Sequence, residues 1–289
     1  MNSIIEEKLA ELKRFGFYGK DALRQNGAEI QTALTTQSIK VLKFLAESEE
    51  WSVKAAVTMN PFCTCQNIRN FISEIMGRQK LNDSDIKFMK LVSQNPKCSG
   101  DILDDIARTF VRLDDWRYLR DKMSNLPNME DDTLLYLMGE NEDFAVHIAR
   151  TTERQEILMY GPEEYVIENP NCPTELLESI AKSYPSNCRI ASKIAANPNA
   201  DEKTLDALAK LGIDALQRPE WYEGRYREAV DTLKNVANNP TTTAETLTHI
   251  WKHGSLLCDS EVLIAMVNNE NTPSLIKDTL KPWMKALTK

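Results

Sequence analysis

Histidine is scarce in this chain. His147, His249 and His253 are the only three in 289 residues, which leaves little material for an imidazole-based catalytic centre. Glycine is low as well, at ten residues, and no P-loop, dinucleotide fingerprint, serine elbow or flexible linker is present. Six cysteines are too few for a disulfide scaffold. No apolar run approaches the ~20 residues that span a bilayer. The opening Met1-Asn2-Ser3-Ile4-Ile5-Glu6-Glu7 lacks the basic start and apolar stretch of a secretory signal, so a reducing cytoplasm is the expected setting. A basic excess is also missing. Lys and Arg number 35 against 43 Asp and Glu, a formal charge of −8, and this opposes duplex binding by counterion release. The sequence therefore predicts neither an enzyme nor a cofactor-, metal- or membrane-binding protein.

What is present is repetition. One column reads Asn60, Asn95, Leu126, Asn169, Asn197, Asn239 and Asn269, and the next reads Pro61, Pro96, Pro127, Pro170, Pro198, Pro240 and Glu270. Three residues earlier stand Val57, Val92, Met123, Val166, Ile194, Val236 and Met266, all apolar. Eight residues after the Asn column come Ile68, Leu103, Leu134, Leu177, Leu205, Leu247 and the exceptional Lys277; eleven after come Phe71, Ile106, Leu137, Ile180, Leu208, Ile250 and Leu280. A spacing of three places the last two columns on one helical face. Each unit reads as helix, Asn-Pro break, helix, because proline disfavours helical geometry in the residue before it. Cap chemistry restarts the second helix. Pro173 and Pro273 are expected at first helical positions, and Thr242 with Glu245 reads as a capping box. A period of roughly thirty to forty residues signals stacked repeats that share one core.

The expected architecture is all-α: an α-solenoid of about seven helical hairpins over 51–289, behind an N-terminal helical cap over 1–50. In the cap, Ile4 to Phe15 and Ile39 to Ala46 read as helices, with a polar stretch around Gly16, Gly19 and Gly27 between them. Long repeat spacings leave room for a longer first helix. Trp221 to Asn238 reads as one, with a stripe of Tyr222, Tyr226, Ala229, Val230, Leu233, Val236 and Ala237.

Candidate site residues follow from the register. Cys63, Cys98 and Cys172 share a column with Met129, Ala200, Thr242 and Thr272, which asks for a small or soft side chain rather than a metal ligand. His249 and His253 stand at i, i+4 without the adjacent Glu of a zinc protease. Asp101, Asp132, Glu175, Glu202 and Glu245 fall in first turns, where they complement the helix dipole. Nine residues after the Asn column stand Arg69, Asp104, Leu135, Glu178, Asp206, Thr248 and Asp278. In a regular stack Asp104, Glu178, Asp206 and Asp278 form a broken acidic ridge, a docking surface for a basic protein partner or a plain solvated face. The run from Arg218 to Arg227 mixes arginine with aromatics. With the tyrosines assigned to the core stripe, Trp221, Arg218, Arg225 and Arg227 are left for contact, Trp221 and Arg225 foremost. The run from Asp114 to Arg120 has the same character.

The segments Ile194-Ala195-Ala196-Asn197-Pro198-Asn199-Ala200-Asp201-Glu202-Lys203-Thr204-Leu205 and Glu168-Asn169-Pro170-Asn171-Cys172-Pro173-Thr174-Glu175-Leu176-Leu177 resemble the bacterial leucine-rich repeat variant. The likeness covers most of 51–289 and is strongest over 160–280. It implies an all-helical superhelix that serves as a scaffold; the longer units here bring the expected packing closer to HEAT-type hairpins. Some members carry an iron–sulfur cluster on clustered cysteines near the N-terminus. This chain has no such cluster before residue 60, so no cofactor is carried over. The expected function is non-catalytic binding of another protein through a concave or acidic face. The alternatives are a HEAT-like nucleic-acid-binding protein, such as a base-repair enzyme, and an acidic inhibitor or decoy of a nucleic-acid-binding enzyme.

Overall fold

The computed structural model describes residues 2–218, 226–253 and 260–287, and all regular structure among them is helical. The chain divides into two compact units, residues 1–137 and 138–289. The first contains α1 (Asn2–Arg14), α2 (Lys20–Thr35), α3 (Ile39–Ala46), α4 (Trp51–Thr58), α5 (Cys65–Met76), α6 (Asp83–Ser93), α7 (Gly100–Arg112) and α8 (Trp116–Tyr118). α8 continues as a π-helical stretch, Leu119–Met123, and α9 (Asp131–Glu140) spans the division. The second contains α10 (Glu142–Thr151), α11 (Gln155–Leu158), α12 (Glu163–Val166), α13 (Thr174–Ser183), α14 (Cys188–Ala196) and α15 (Glu202–Gln217). It closes with α16 (Tyr226–Asn238), α17 (Ala244–Lys252), α18 (Ser260–Asn268) and α19 (Ser274–Leu287).

Each asparagine of the column lies between two helices and is buried, apart from half-buried Asn95. Its side chain works in two directions. The Oδ1 of Asn239 accepts from the N–H of Thr241 at 3.0 Å and so holds the turn. Its Nδ2 donates backward to the carbonyls of Ala195 (3.0 Å) and Asn197 (2.9 Å), which belong to the preceding turn. Asn269 does the same to Ala237 and Asn239, and Asn197 to Ile167 and Asn169. An outer rung runs beside this one. Asn128, Asn199 and Asn271, two positions on, donate to Pro96 and Cys98, to Pro170 and Cys172, and to Pro240 and Thr242. At Leu126, where the inner asparagine is missing, Asn128 therefore still joins the turn to its predecessor.

The earliest inner rung in each unit reaches a turn that has no Asn-Pro. Asn60 donates to Ala33 and Thr36, and Asn169 to Ala149 and Thr152. The two turns share the sequence Ala-x-Thr-Thr. In each, the second threonine hydroxyl accepts from a backbone N–H two residues on, Ser38 or Arg154, at 3.1 Å. α2 and α3 thus connect to the next hairpin just as the later hairpins connect to theirs. The polar stretch expected around Gly27 is instead helix α2, because Ile30, Ala33 and Leu34 bury a helical stripe.

Three local expectations shift. Pro173 occupies the N-cap position of α13 rather than its first turn. The cap of α17 is Thr243, which accepts from the N–H of Thr246 at 3.1 Å, while Thr242 is buried and donates to the carbonyl of Val236 at 2.5 Å. Tyr226 in α16 is 50% exposed, so among the described residues the expected stripe is buried from Ala229 onward, and Tyr222 lies outside them. In the second unit one apolar cluster runs from Ala149 to Leu280 and contains Val166, Leu177, Ile194 and Leu205 together.

Candidate interaction surface

The column nine residues after the Asn lies on the second helix of each hairpin, and four of its side chains reach forward to the next one. Arg69 pairs with Asp101. Asp104 accepts from the Thr133 hydroxyl at 3.0 Å, Glu178 meets Lys203 at 3.0 Å, and Asp206 accepts from the Thr246 hydroxyl at 3.3 Å. The four acidic members also hold cations on their own helices. Arg108 lies 2.8 Å from Asp104, Lys182 2.9 Å from Glu178, Lys210 2.6 Å from Asp206 and Lys281 2.7 Å from Asp278. In each unit, then, the acidic members of this column are paired with cations rather than bare.

These pairs set a pH dependence. Hydrogen bonds from Lys182 and then Lys203 hold the Glu178 carboxyl below its ordinary value, and Ser99 and then Arg69 do the same for Asp101. A lowered folded pKa contributes stability above the unfolded value that is lost as pH falls through the folded one. The melting temperature is expected to drop as acid is added below about pH 4.5, the usual carboxylate range. Glu178→Gln with Asp101→Asn should flatten that drop, and thermal melts across pH check it.

The first-helix face of the second unit is knitted the same way. Arg150 and Lys193 flank Glu168 at 3.2 and 2.6 Å, Arg189 pairs with Glu164, and Arg227 and Lys234 meet Glu261 at 3.3 and 2.7 Å. Trp221 and Arg225 lie outside the described residues. The run from Asp114 to Arg120 is structural in large part: Tyr118 packs on Phe110 with ring centroids 4.9 Å apart and donates to the carbonyl of Lys90 at 2.8 Å. Burial pushes the thiols of Cys63, Cys98 and Cys172 up to about 11, 12 and 11, so they act as small apolar side chains. The His249 and His253 rings meet edge to face with centroids 4.8 Å apart, and His253 Nδ1 lies 3.1 Å from Gln217 Nε2. No His, Cys, Asp and Glu group able to hold a metal ion occurs among the described residues. Among the same residues, no helix is long and apolar enough to cross a membrane.

Clefts open between successive second helices. One of about 250 Å³ lies between α13 and α15, one of about 640 Å³ between α15 and α17, and one of about 800 Å³ between α3 and α5. Lys54, only 5% exposed, lines the largest. Its Nζ is 2.5 Å from Glu74 Oε2 and 4.6 Å from the Trp51 ring centroid. Glu74 in turn holds Arg78 at 3.0 Å, and Arg78 reaches the fully buried Asp85 at 2.5 Å. Burial pushes the Glu74 carboxyl up, but hydrogen bonds and charge from Lys54 and then Arg78 outweigh it and leave it below its ordinary value.

Sequence reasoning passed over Lys54, although a signal was there. Six residues before the Asn column stand Lys54, Met89, Arg120, Glu163, Ala191, Leu233 and Leu263. Met89, Ala191 and Leu233 are core. Arg120 and Glu163 belong to irregular or shortened first helices, where Arg120 is half-buried and Glu163 exposed. Lys54 alone is a buried charge in this column. Compared with known protein families and curated proteins, the chain matches none.

Proposed function

We propose that this chain is a cytoplasmic α-solenoid of helical hairpins, akin to the leucine-rich repeat variant and HEAT-type arrays, that binds another protein and performs no chemistry of its own. The observation that carries this reading is the asparagine ladder. Within each unit it ties successive hairpins to one another, and in the second unit clefts open between the second helices. Stacked units of this kind offer extended surfaces. The cations already paired with Asp104 in the first unit, and with Glu178, Asp206 and Asp278 in the second, make a strongly basic partner less fitting than one with mixed polar and apolar groups. Nucleic acid is the weaker reading, because the arginines and lysines of the first-helix face already hold carboxylates.

The test places a photo-crosslinking amino acid at Lys210, between α15 and α17, and in a second variant at Arg189 on the first-helix face. A discrete protein adduct from Lys210 in cell extract is expected, weaker or absent from Arg189. Recovery of nucleic acid, or of no adduct from either position, would overturn the reading.

A further inference from the structure

We propose that the chain pairs with a second copy of itself through α3, the two helices lying antiparallel across a two-fold axis beside Phe44. This surface is separate from the clefts of the second unit, and the pairing does not depend on what they bind. The repeat register exposes it. Leu42 and Leu45 are core residues three apart, as Leu103 and Ile106 are in α7, so Val41 holds the place of Ile102. In the hairpins of the Asn column that place is buried, or half-buried at Leu176. The preceding second helix covers it: Thr133 of α9 donates to Asp104 of α7, and Thr246 of α17 to Asp206 of α15. No second helix precedes α3 in its unit, and there Val41 is 37% and Phe44 73% exposed. Ile39, Lys43, Ala46 and Glu47 line the cleft toward α5, whereas Val41 and Phe44 do not, so the bare strip faces away from α5.

The charges choose the occupant. Lys40, Phe44 and Glu47 stand at i, i+4 and i+7, one exposed row along α3 and its helical C-cap. Among the described residues neither Lys40 nor Glu47 has an ion-pair partner, although Glu178 and Asp206 do. A row with a cation at one end, an anion at the other and an aromatic ring between them complements its own reverse. Turned about the axis, a second copy sets its Glu47 against Lys40 and its Lys40 against Glu47, and brings the two Phe44 rings together. A parallel copy would oppose like charges. Isologous pairing of this kind closes at two copies. The eight residues of α3 span about 12 Å, a small contact, so the dimer is weak and its population follows concentration.

The test is sedimentation velocity of the full chain from micromolar to millimolar concentration. A shift from monomer toward dimer is expected across that range. Phe44→Glu should stay monomeric with an unchanged melting temperature, because the ring it removes is exposed. Lys40→Glu and Glu47→Lys should each weaken the dimer about ten-fold, since each sets like charges against one another twice. An equimolar mixture of these two variants should dimerise as well as wild type, because each copy then carries the charges the other lacks. That rescue is specific to antiparallel pairing and keeps the test decisive if Phe44→Glu fails to fold. Three results would overturn the proposal: a wild-type chain that stays monomeric at millimolar concentration, a dimer that persists in folded Phe44→Glu, or a mixture that associates no better than its components. The Lys210 crosslink reads another surface, so the two readings fall separately.

Discussion

Asn239→Leu is expected to cost about 4 kcal/mol. The estimate comes from what the substitution strands. Leucine fills the volume but removes a donor from the carbonyls of Ala195 and Asn197 and an acceptor from the N–H of Thr241. The Asn197 carbonyl keeps the N–H of Ala200 at 3.2 Å. Two groups are then left without a partner in a buried turn, and each such group costs about 1–3 kcal/mol. At about 2–4 °C per kcal/mol for a body of this size, the melting temperature falls by about 10 °C. The exposed neighbour Asn238, changed to Leu, is the control and should stay within about 0.5 kcal/mol. If both variants unfold alike in urea, the ladder is ornamental.

Asn239→Asp separates hydrogen-bond direction from shape. A carboxylate still accepts from Thr241 but sets an oxygen against two carbonyls, so only the protonated acid can donate. Its folded pKa then lies above the unfolded value of about 3.9. By linkage, the stability available to the protonated form is present below the unfolded value and lost as pH rises through the folded one. The Asp variant should therefore approach wild type in acid and fall behind toward neutrality, whereas the Leu variant shows no such trend.

The asparagine column was legible as a period, and proline explained why a helix stops there. What could not be read was where the amide points, because its acceptors are main-chain carbonyls one hairpin away and carry no side-chain signature. The same physics hid the Ala-x-Thr-Thr turns. A turn that only receives hydrogen bonds needs no asparagine, so residues 20–46 looked like a cap with a polar gap. The ridge shows a different shortfall. Arg108, Lys182 and Lys210 stand four residues after Asp104, Glu178 and Asp206, a spacing that pairs charges on one helix and was open to view. Lys203 and Thr246, on the following hairpin, were not. Lys54 was visible as a polar intruder once the column six residues before the Asn was written out, but its burial and its cleft depend on how α3 and α5 part.

Asp85→Ala is expected to cost about 4 kcal/mol, because this one carboxylate closes two systems. One oxygen accepts from the N–H of Asn82 at 2.9 Å, while Asn82 Oδ1 accepts from Asp85 N at 3.0 Å, a reciprocal capping box that starts α6. The other accepts from Arg78 at 2.5 Å and ends the chain of charges that begins at Lys54. Losing a cap costs about 1 kcal/mol. Removing one partner of a buried ion pair costs about 3–5 kcal/mol, and the lower end applies because Arg78 is about one-third exposed and regains water. Asp83, exposed in the same first turn, contributes through the helix dipole alone, so Asp83→Ala should cost under about 1 kcal/mol. Asp85→Asn keeps an acceptor for Asn82 and loses the charge, so it should fall between the two. That ranking in urea denaturation distinguishes a coupled network from an isolated cap. An Asn variant as stable as wild type would mean that the Arg78 pair contributes nothing, and an Asn variant as unstable as Ala would mean that the cap does not.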